Sequence, residues 1–369
     1  MKVVLIGGHL SPALSLLEEL KKEEVIFFGR KYSFEGDKAL SLEYQLVEEF
    51  NIPFVSITTG RLQRKFTRHT FFSLLKLPVG FFQSLSALVK FKPDVVLGFG
   101  GYISIPVVFA SYILRIPVVI HEQTLEAGFA NKILSRLAKK ICISWESSIK
   151  FFPKEKTVLT GNPIRKELFE KKTEEFNFKN NLPIIYITGG SSGSHVINDL
   201  VGKIVGKLLN ISNVVHQTGD AKEFNDFEKL VKIKEEIGDS KGEYKLVKFL
   251  NSKHASEILN KASLVVSRSG INTVTELIYL RKPSLLIPLF FAQKNEQLKN
   301  ALFAKKLGIA EVLEQKELTS ERFYGMIFGM LENKEKYAGK IDIDASIFEK
   351  AAENIVNVLK STITNEKKF

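Results

Sequence analysis

The sequence predicts an α/β protein of two doubly wound domains, each a parallel β-sheet covered by helices on both faces. Three observations lead there. Short, unbroken apolar runs alternate with helical patterns, as strand–helix–strand units do. The alternation comes in two series, separated by the charged and strand-poor stretch 165–181. At 369 residues the chain is too long for one ordinary domain and suits two.

The first series has runs at residues 3–6, 25–28, 54–57, 95–97, 118–120 and 141–144. Branched, continuous apolar runs of this kind mark strands buried on both faces. Helical patterns lie between most of them, as over 130–140 and over 12–22, where Ser11 followed by Pro12 reads as a cap and a first-turn proline. The second series has runs at 184–188, 214–216, 244–247, 264–266 and 285–287. Domains are therefore expected over 1–163 and 164–340. A C-terminal helix and tail over 341–369 could pack back on the first domain.

Composition limits the function classes. With 44% hydrophobic and 25% charged residues, this is an ordinary globular chain. The single Cys142 excludes an internal disulfide and a cysteine-based zinc site. The opening run from Met1 to Ile6 reads as a strand ended by Gly7-Gly8 rather than as a signal peptide. No apolar run has the length of a membrane span.

The net charge of +12 is unevenly distributed. Residues 1–163 carry 21 Lys and Arg against 14 Asp and Glu, and 60–92 hold seven basic residues and no acidic one. These are Arg61, Arg64, Lys65, Arg68, Lys76, Lys90 and Lys92, interleaved with Phe66, Phe71, Phe72, Leu74, Leu75, Leu77, Phe81 and Phe82. Bulky apolar groups beside a basic cluster describe a surface that dips into an anionic bilayer. Leucines and paired phenylalanines suit acyl chains better than stacked bases, so nucleic acid is not an expected partner. The plain alternative is that the phenylalanines are core and the lysines solvated.

In doubly wound folds ligands bind at the carboxyl ends of strands, so the turns there carry the functional reading. They are Gly7-Gly8-His9, Gly98-Phe99-Gly100-Gly101-Tyr102, His121-Glu122-Gln123, Gly189-Gly190-Ser191-Ser192-Gly193 and His216-Gln217-Thr218-Gly219. The most informative stretch is 267–276. Ser269-Gly270 gives a tight exit from a strand, Thr273 can cap a helix, and Glu276 lies one turn in. A helix start suits a phosphate, and a carboxylate one turn on suits a ribose diol. Thr273-x-x-Glu276 also fits a capping box. Neither a P-loop nor an amino-terminal GxGxxG is present, which argues against an ATPase or a nicotinamide enzyme.

Taken in order, these turns resemble the MurG family, together with Gly161-Asn162-Pro163-Ile164-Arg165, the run Arg268 to Glu276, and Asn295-x-Gln297-x-x-Asn300-Ala301. The resemblance implies the GT-B fold, two Rossmann-like domains facing a cleft. It implies inverting transfer of GlcNAc from UDP-GlcNAc to lipid-linked MurNAc-pentapeptide on undecaprenyl diphosphate, in peptidoglycan synthesis. The expected place is the cytoplasmic face of the cell membrane, as a peripheral protein, with other cell-wall synthesis proteins as possible partners.

By the same resemblance His9 is the candidate base and Glu122 a second one. Gly7, Gly8, Gly100, Gly101, Tyr102, Gln123 and Thr124 fall on the acceptor side. Arg165, Gly190, Ser191, Gly193, Arg268, Gly270, Thr273, Glu276 and Gln297 fall on the donor side, with uracil near Phe249-Leu250. No cofactor and no metal are expected, and Asp342-Ile343-Asp344 reads as a solvated helix entry. Three positions depart from the family pattern: the first glycine loop is cut to Gly7-Gly8-His9, Thr124 replaces Asn, and Ser192 replaces Gln. The alternatives are a transferase acting on a diacylglycerol-type acceptor, a UDP-GlcNAc 2-epimerase, and a non-enzymatic membrane scaffold.

Overall fold

The computed structural model describes residues 1–32, 39–60, 68–169, 175–190, 192–219, 223–289, 295–337 and 343–366. The chain forms two compact units, Met1–Ile164 with Ser346–Phe369, and Arg165–Ala345.

The first unit holds a seven-stranded sheet in the order β3-β2-β1-β4-β5-β6-β7, with every neighbouring pair parallel. Its strands are β1 (Lys2–Ile6), β2 (Glu24–Gly29), β3 (Phe54–Ser56), β4 (Val95–Gly98), β5 (Val118–Glu122), β6 (Lys140–Ile143) and β7 (Thr157–Leu159). Six coincide with expected runs. The edge strand β7 does not, because three partly exposed residues leave no apolar run to detect. Strand order reverses between β1 and β4, which sets the turns after these two strands side by side.

Successive side chains of β1 point to opposite faces. Val3 and Leu5 pack with Leu16 and Leu17 of α1 (Leu10–Glu19) and Ile355 and Leu359 of α13 (Ala351–Glu366). Val4 and Ile6 pack with Leu88 of α3 (Arg68–Phe91), Val107 and Val108 of α4 (Ser104–Ile113) and Leu134 of α5 (Phe129–Leu134). The C-terminal helix thus covers one face of the first unit's sheet. Helix α1 starts earlier than Ser11-Pro12 suggests: His9 occupies the cap position, and Pro12 lies inside the first turn. Proline is tolerated there because the first N–H groups of a helix have no partner within it.

The second unit holds a six-stranded parallel sheet, β10-β9-β8-β11-β12-β13. The strands are β8 (Ile184–Thr188), β9 (Asn213–Gln217), β10 (Tyr244–Val247), β11 (Leu264–Ser267), β12 (Ser284–Leu286) and β13 (Ala310–Val312). Its core joins Ile185, Ile187, Val214 and Val266 to Ile197, Val201 and Ile204 of α6 (His195–Leu208), and to Phe323 and Ile327 of α11 (Ser320–Glu332). β8 and β11 meet at the reversal, pairing Thr188 with Ser267. The second unit's two glycine and serine turns therefore start from adjacent strand ends.

Candidate active site

In the first unit the two glycine turns are in contact. A Cβ on Gly8 would overlap the carbonyl oxygen of Gly100, and one on Gly101 would lie 3.3 Å from Gly8 Cα. Gly100 and Gly101 both take left-handed backbone, φ +78° and +76°, as the turn before Tyr102 requires. The Gly100 carbonyl also accepts from Ser104 Oγ at 2.6 Å. His9 Nδ1 lies 3.2 Å from the Phe99 carbonyl. A carbonyl only accepts, so Nδ1 carries the proton and Nε2 of the neutral ring keeps a lone pair. That is the state a general base needs.

Glu122 has a different role from the one expected. It is buried at the end of β5, and its carboxylate accepts from Thr124 N at 3.0 Å, Gly128 N at 2.8 Å and Asn131 Nδ2 at 3.0 Å, while Thr124 Oγ1 lies between it and the Glu126 carbonyl. Three N–H donors hold the carboxylate, so it braces the turn. Gln123 and Thr124 are buried too and shape the same turn from inside. The Gln123 carbonyl accepts from Trp145 Nε1 at 3.0 Å. His121 is fully buried with its pKa pushed down to about 4, because burial penalises the charged ring.

In the second unit the chain leaves β11 through Ser269-Gly270 and enters α9 (Ile271–Tyr279) with Gly270 at the cap. Thr273 therefore lies within the first turn rather than at the cap, and no capping box forms. Glu276 instead binds Arg165, through Nε to Oε1 at 2.6 Å and a terminal nitrogen to Oε2 at 3.3 Å. Burial opposes the charge on Arg165, but the Glu276 carboxylate outweighs it and raises the guanidinium pKa. The pair orients the Glu276 carboxylate, whose lone pairs beyond these two bonds are available to a diol.

Arg268 is the second cation of this site. One terminal nitrogen donates to Ser194 Oγ at 2.7 Å, and the other reaches the Ile287 carbonyl at 3.2 Å. Burial lowers its pKa. Among the described residues its hydrogen-bond partners are all neutral, so it contributes a net positive charge beside Ser194, which precedes α6. Ser191 lies outside the described residues. Gly190 and Gly193 correct an expectation, since their N–H groups serve the loop itself: Gly190 N donates to Thr188 Oγ1 at 3.0 Å, and Gly193 N to the Gly190 carbonyl at 3.1 Å. Gly193 is left-handed at φ +76°, and a Cβ there would overlap the Thr218 carbonyl. The glycine thus lets the turns after β8 and β9 touch.

Gln297 begins α10 (Glu296–Lys306) as its second residue, and its amide oxygen accepts from Leu289 N at 2.9 Å. What it can offer a sugar is the amide nitrogen. Phe249 after β10 is 56% exposed, whereas Leu250 is buried. Asp342 lies outside the described residues, and among those described no three His, Cys, Asp or Glu side chains are grouped to hold a metal ion.

One polar chain in the second unit is marked in the sequence only at His216, within its turn, and its other members carry no signal. Tyr244 Oη donates to His216 Nδ1 at 2.9 Å, and His216 Nε2 donates to Asn198 Oδ1 at 3.0 Å. Asn198 Nδ2 donates to Asp226 Oδ2 at 2.8 Å, and Asp226 Oδ1 meets His195 Nδ1 at 2.8 Å. Burial pushes the His216 pKa down to about 3, which fixes the neutral ring. The partners sit on β10, β9, α6 and α7 (Asp226–Glu236), too far apart in sequence to be read together.

Of the basic and aromatic segment, Arg61, Arg64, Lys65 and Phe66 lie outside the described residues, and Arg68, Phe71, Phe72 and Leu75 fall on α3. Phe82 is 65% exposed, but Phe81 is half-buried and packs against the core, a correction to its expected place on the exposed surface. Val79 and Val89 join Phe82 outside, and Phe109, Tyr112 and Ile113 are exposed on the adjoining α4.

Two doubly wound units, one with a histidine turn and the other with an Arg–Glu pair and a neutral-partnered arginine, define a glycosyltransferase of the GT-B class. Residues 6–143 match the glycosyltransferase family 28 N-terminal domain, and residues 184–355 match its C-terminal domain. The chain belongs to the MurG family of glycosyltransferases. It is 32% identical to the UDP-N-acetylglucosamine–N-acetylmuramyl-(pentapeptide) pyrophosphoryl-undecaprenol N-acetylglucosamine transferase of Clostridium tetani, over 98% of both chains. It is 34% identical to the protein of the same name from Clostridium perfringens strain ATCC 13124, again over 98% of both. The crystal structure of Acinetobacter baumannii MurG superposes with a TM-score of 0.72 at 25% identity, covering 98% of this chain and 99% of that one. The UDP-GlcNAc 2-epimerase of Neisseria meningitidis shares the fold, with a TM-score of 0.67 at 16% identity over 98% of this chain and 100% of the other.

Proposed function

We propose that this protein transfers GlcNAc from UDP-GlcNAc to undecaprenyl-diphosphate-MurNAc-pentapeptide, the step from lipid I to lipid II in peptidoglycan synthesis, with inversion at the anomeric carbon. The observation that carries this reading is the unbroken likeness, at 32% identity over 98% of both chains, to a transferase named for that donor and acceptor. The epimerase alternative is supported by likeness of fold alone.

The geometry supplies the parts of a direct displacement. The acceptor hydroxyl oxygen bonds to the anomeric carbon as the bond to the β-phosphate breaks, and UDP leaves. His9 Nε2, its lone pair set by the Phe99 contact, takes the hydroxyl proton. Glu276, oriented by Arg165, receives the ribose hydroxyls. Arg268 and the start of α9 meet the charge that develops on the diphosphate. The first unit is the acceptor and membrane unit, and the second is the donor unit.

The acceptor lies in the membrane, so the enzyme docks there as a peripheral protein at the cytoplasmic face. The exposed Val79, Phe82 and Val89 of α3, with Phe109, Tyr112 and Ile113 of α4, supply apolar groups to insert, and the basic residues of 60–92 attract an anionic surface. Among the described residues no helix is long and apolar enough to cross a membrane.

The test is incubation of purified protein with labelled UDP-GlcNAc and a panel of acceptors. Label should pass to lipid-diphosphate-MurNAc-pentapeptide. Transfer only to diacylglycerol would select that alternative acceptor, and conversion of the nucleotide sugar without any acceptor would select the epimerase.

A further inference from the structure

The turn that carries His9 is held from one side by Glu43, a residue outside every motif of the sequence. Glu43 lies in the first turn of α2 (Leu42–Glu49), which Ser41 caps by accepting from Tyr44 N at 3.1 Å. A carboxylate in a helix's first turn is ordinary, because it complements the helix dipole. The position of this head group is not. It reaches to the carboxyl ends of β1 and β2, where Oε2 accepts from Arg30 N at 3.0 Å and the carboxylate lies against the Gly7-Gly8 backbone. The space is made by two glycines: a Cβ on Gly7 would overlap Oε1, and one on Gly29 would lie 2.7 Å from Oε2. On the other side the turn meets Gly100, and His9 meets the Phe99 carbonyl.

We propose that Glu43 is a positioning residue for the transfer reaction, bracing the Gly7-Gly8 backbone against the Arg30 N–H so that the Gly7-Gly8-His9 turn presents His9 in one orientation. This rests on the transfer function proposed above. A carboxyl group turned to the Arg30 N–H offers an anion nothing, so Glu43 does nothing to attract an anionic substrate. Its effect must therefore fall on the rate of the chemical step. Burial raises its carboxyl pKa, with the bonds from Arg30 and Gly8 acting in the opposite sense. The two glycines bring no side chains of their own to hold the turn, so a brace from Glu43 matters.

Two measurements on Glu43→Ala and Glu43→Gln test the proposal. Hydrogen exchange should become faster over residues 7–9 in Glu43→Ala and stay unchanged across the second unit. With a short-chain soluble acceptor, Glu43→Ala should lower kcat by about 10²-fold, the loss expected when a reacting group is misplaced, and leave the donor KM unchanged. Glu43→Gln should recover part of kcat, because its amide oxygen still accepts one N–H. Wild-type exchange over residues 7–9 in Glu43→Ala would overturn the clamp. So would a wild-type kcat, or loss of protection across the whole first unit with no recovery in Glu43→Gln. If the wild-type protein transferred nothing to any acceptor, the transfer function would fail, and the exchange measurement would still decide whether Glu43 holds the turn.

Discussion

Arg165 and Glu276 stand 111 residues apart and share one ion pair. Each is marked singly by its motif, but the pairing is invisible in sequence, and the local rule for Thr273 and Glu276 gives a capping box that does not form. A charge pair held by two hydrogen bonds outweighs a first-turn cap. Glu276→Ala should weaken UDP-GlcNAc binding by about 1.5–3 kcal/mol, the value of a charged hydrogen bond. Calorimetry on the folded variant checks this, and unchanged affinity with a lower melting temperature would leave the pair a purely structural brace. His9→Ala should lower kcat by about 10²–10⁴-fold with donor affinity retained. A near-normal kcat would remove His9 from the chemistry.

Helix α3 shows what element geometry adds. The sequence shows basic and aromatic residues in one segment, but successive residues of a helix lie about 100° apart, so Phe81 faces the core while its neighbour Phe82 faces out. α4 adds exposed apolar side chains that no charge pattern marks. Replacing Arg61, Arg64, Lys65 and Arg68 by Ser should release the protein from anionic vesicles, each charge being worth about 1 kcal/mol at such a surface. Transfer to a soluble short-chain acceptor should persist. Sedimentation with the variant binding as well as wild type would move the docking face elsewhere. In the transfer proposed above, backbone donors at the start of α9 and Arg268 take the place of a cation, so turnover should survive EDTA. Loss in EDTA with recovery in magnesium would sink that account. The edge strands β3, β7 and β13 are each three residues long, and only β3, whose run continues to Ile57, is legible in the sequence.

At the scale of the molecule, each unit carries one deeply buried neutral histidine. His121 in the first has a pKa of about 4, and His216 in the second about 3, against 6.5 for an ordinary imidazole. Both folded values lie below the unfolded one, so between pH 6.5 and about 4 the unfolded chain binds more protons. Stability is therefore fully present above pH 6.5 and falls as pH drops, by up to about 1.4 kcal/mol per pH unit for each histidine. Thermal melts across that range should show both units weakening. A melting temperature flat from pH 6.5 to 4.5 would mean that neither histidine is as enclosed as its surroundings imply.

The sequence by itself determined the two-sheet α/β architecture, most of the strands and the turns that carry the chemistry. These depend on apolar periodicity and on glycines at fixed offsets, which are local properties. The tertiary structure alone decided which side chains meet: Arg165 with Glu276, Glu43 with the Gly8 turn, and Tyr244, His216, Asn198, Asp226 and His195 in one polar chain. Buried polar groups need partners, and in a parallel sheet neighbouring strand ends come from distant parts of the chain. The partner of each group is therefore set by strand order, which no local pattern encodes.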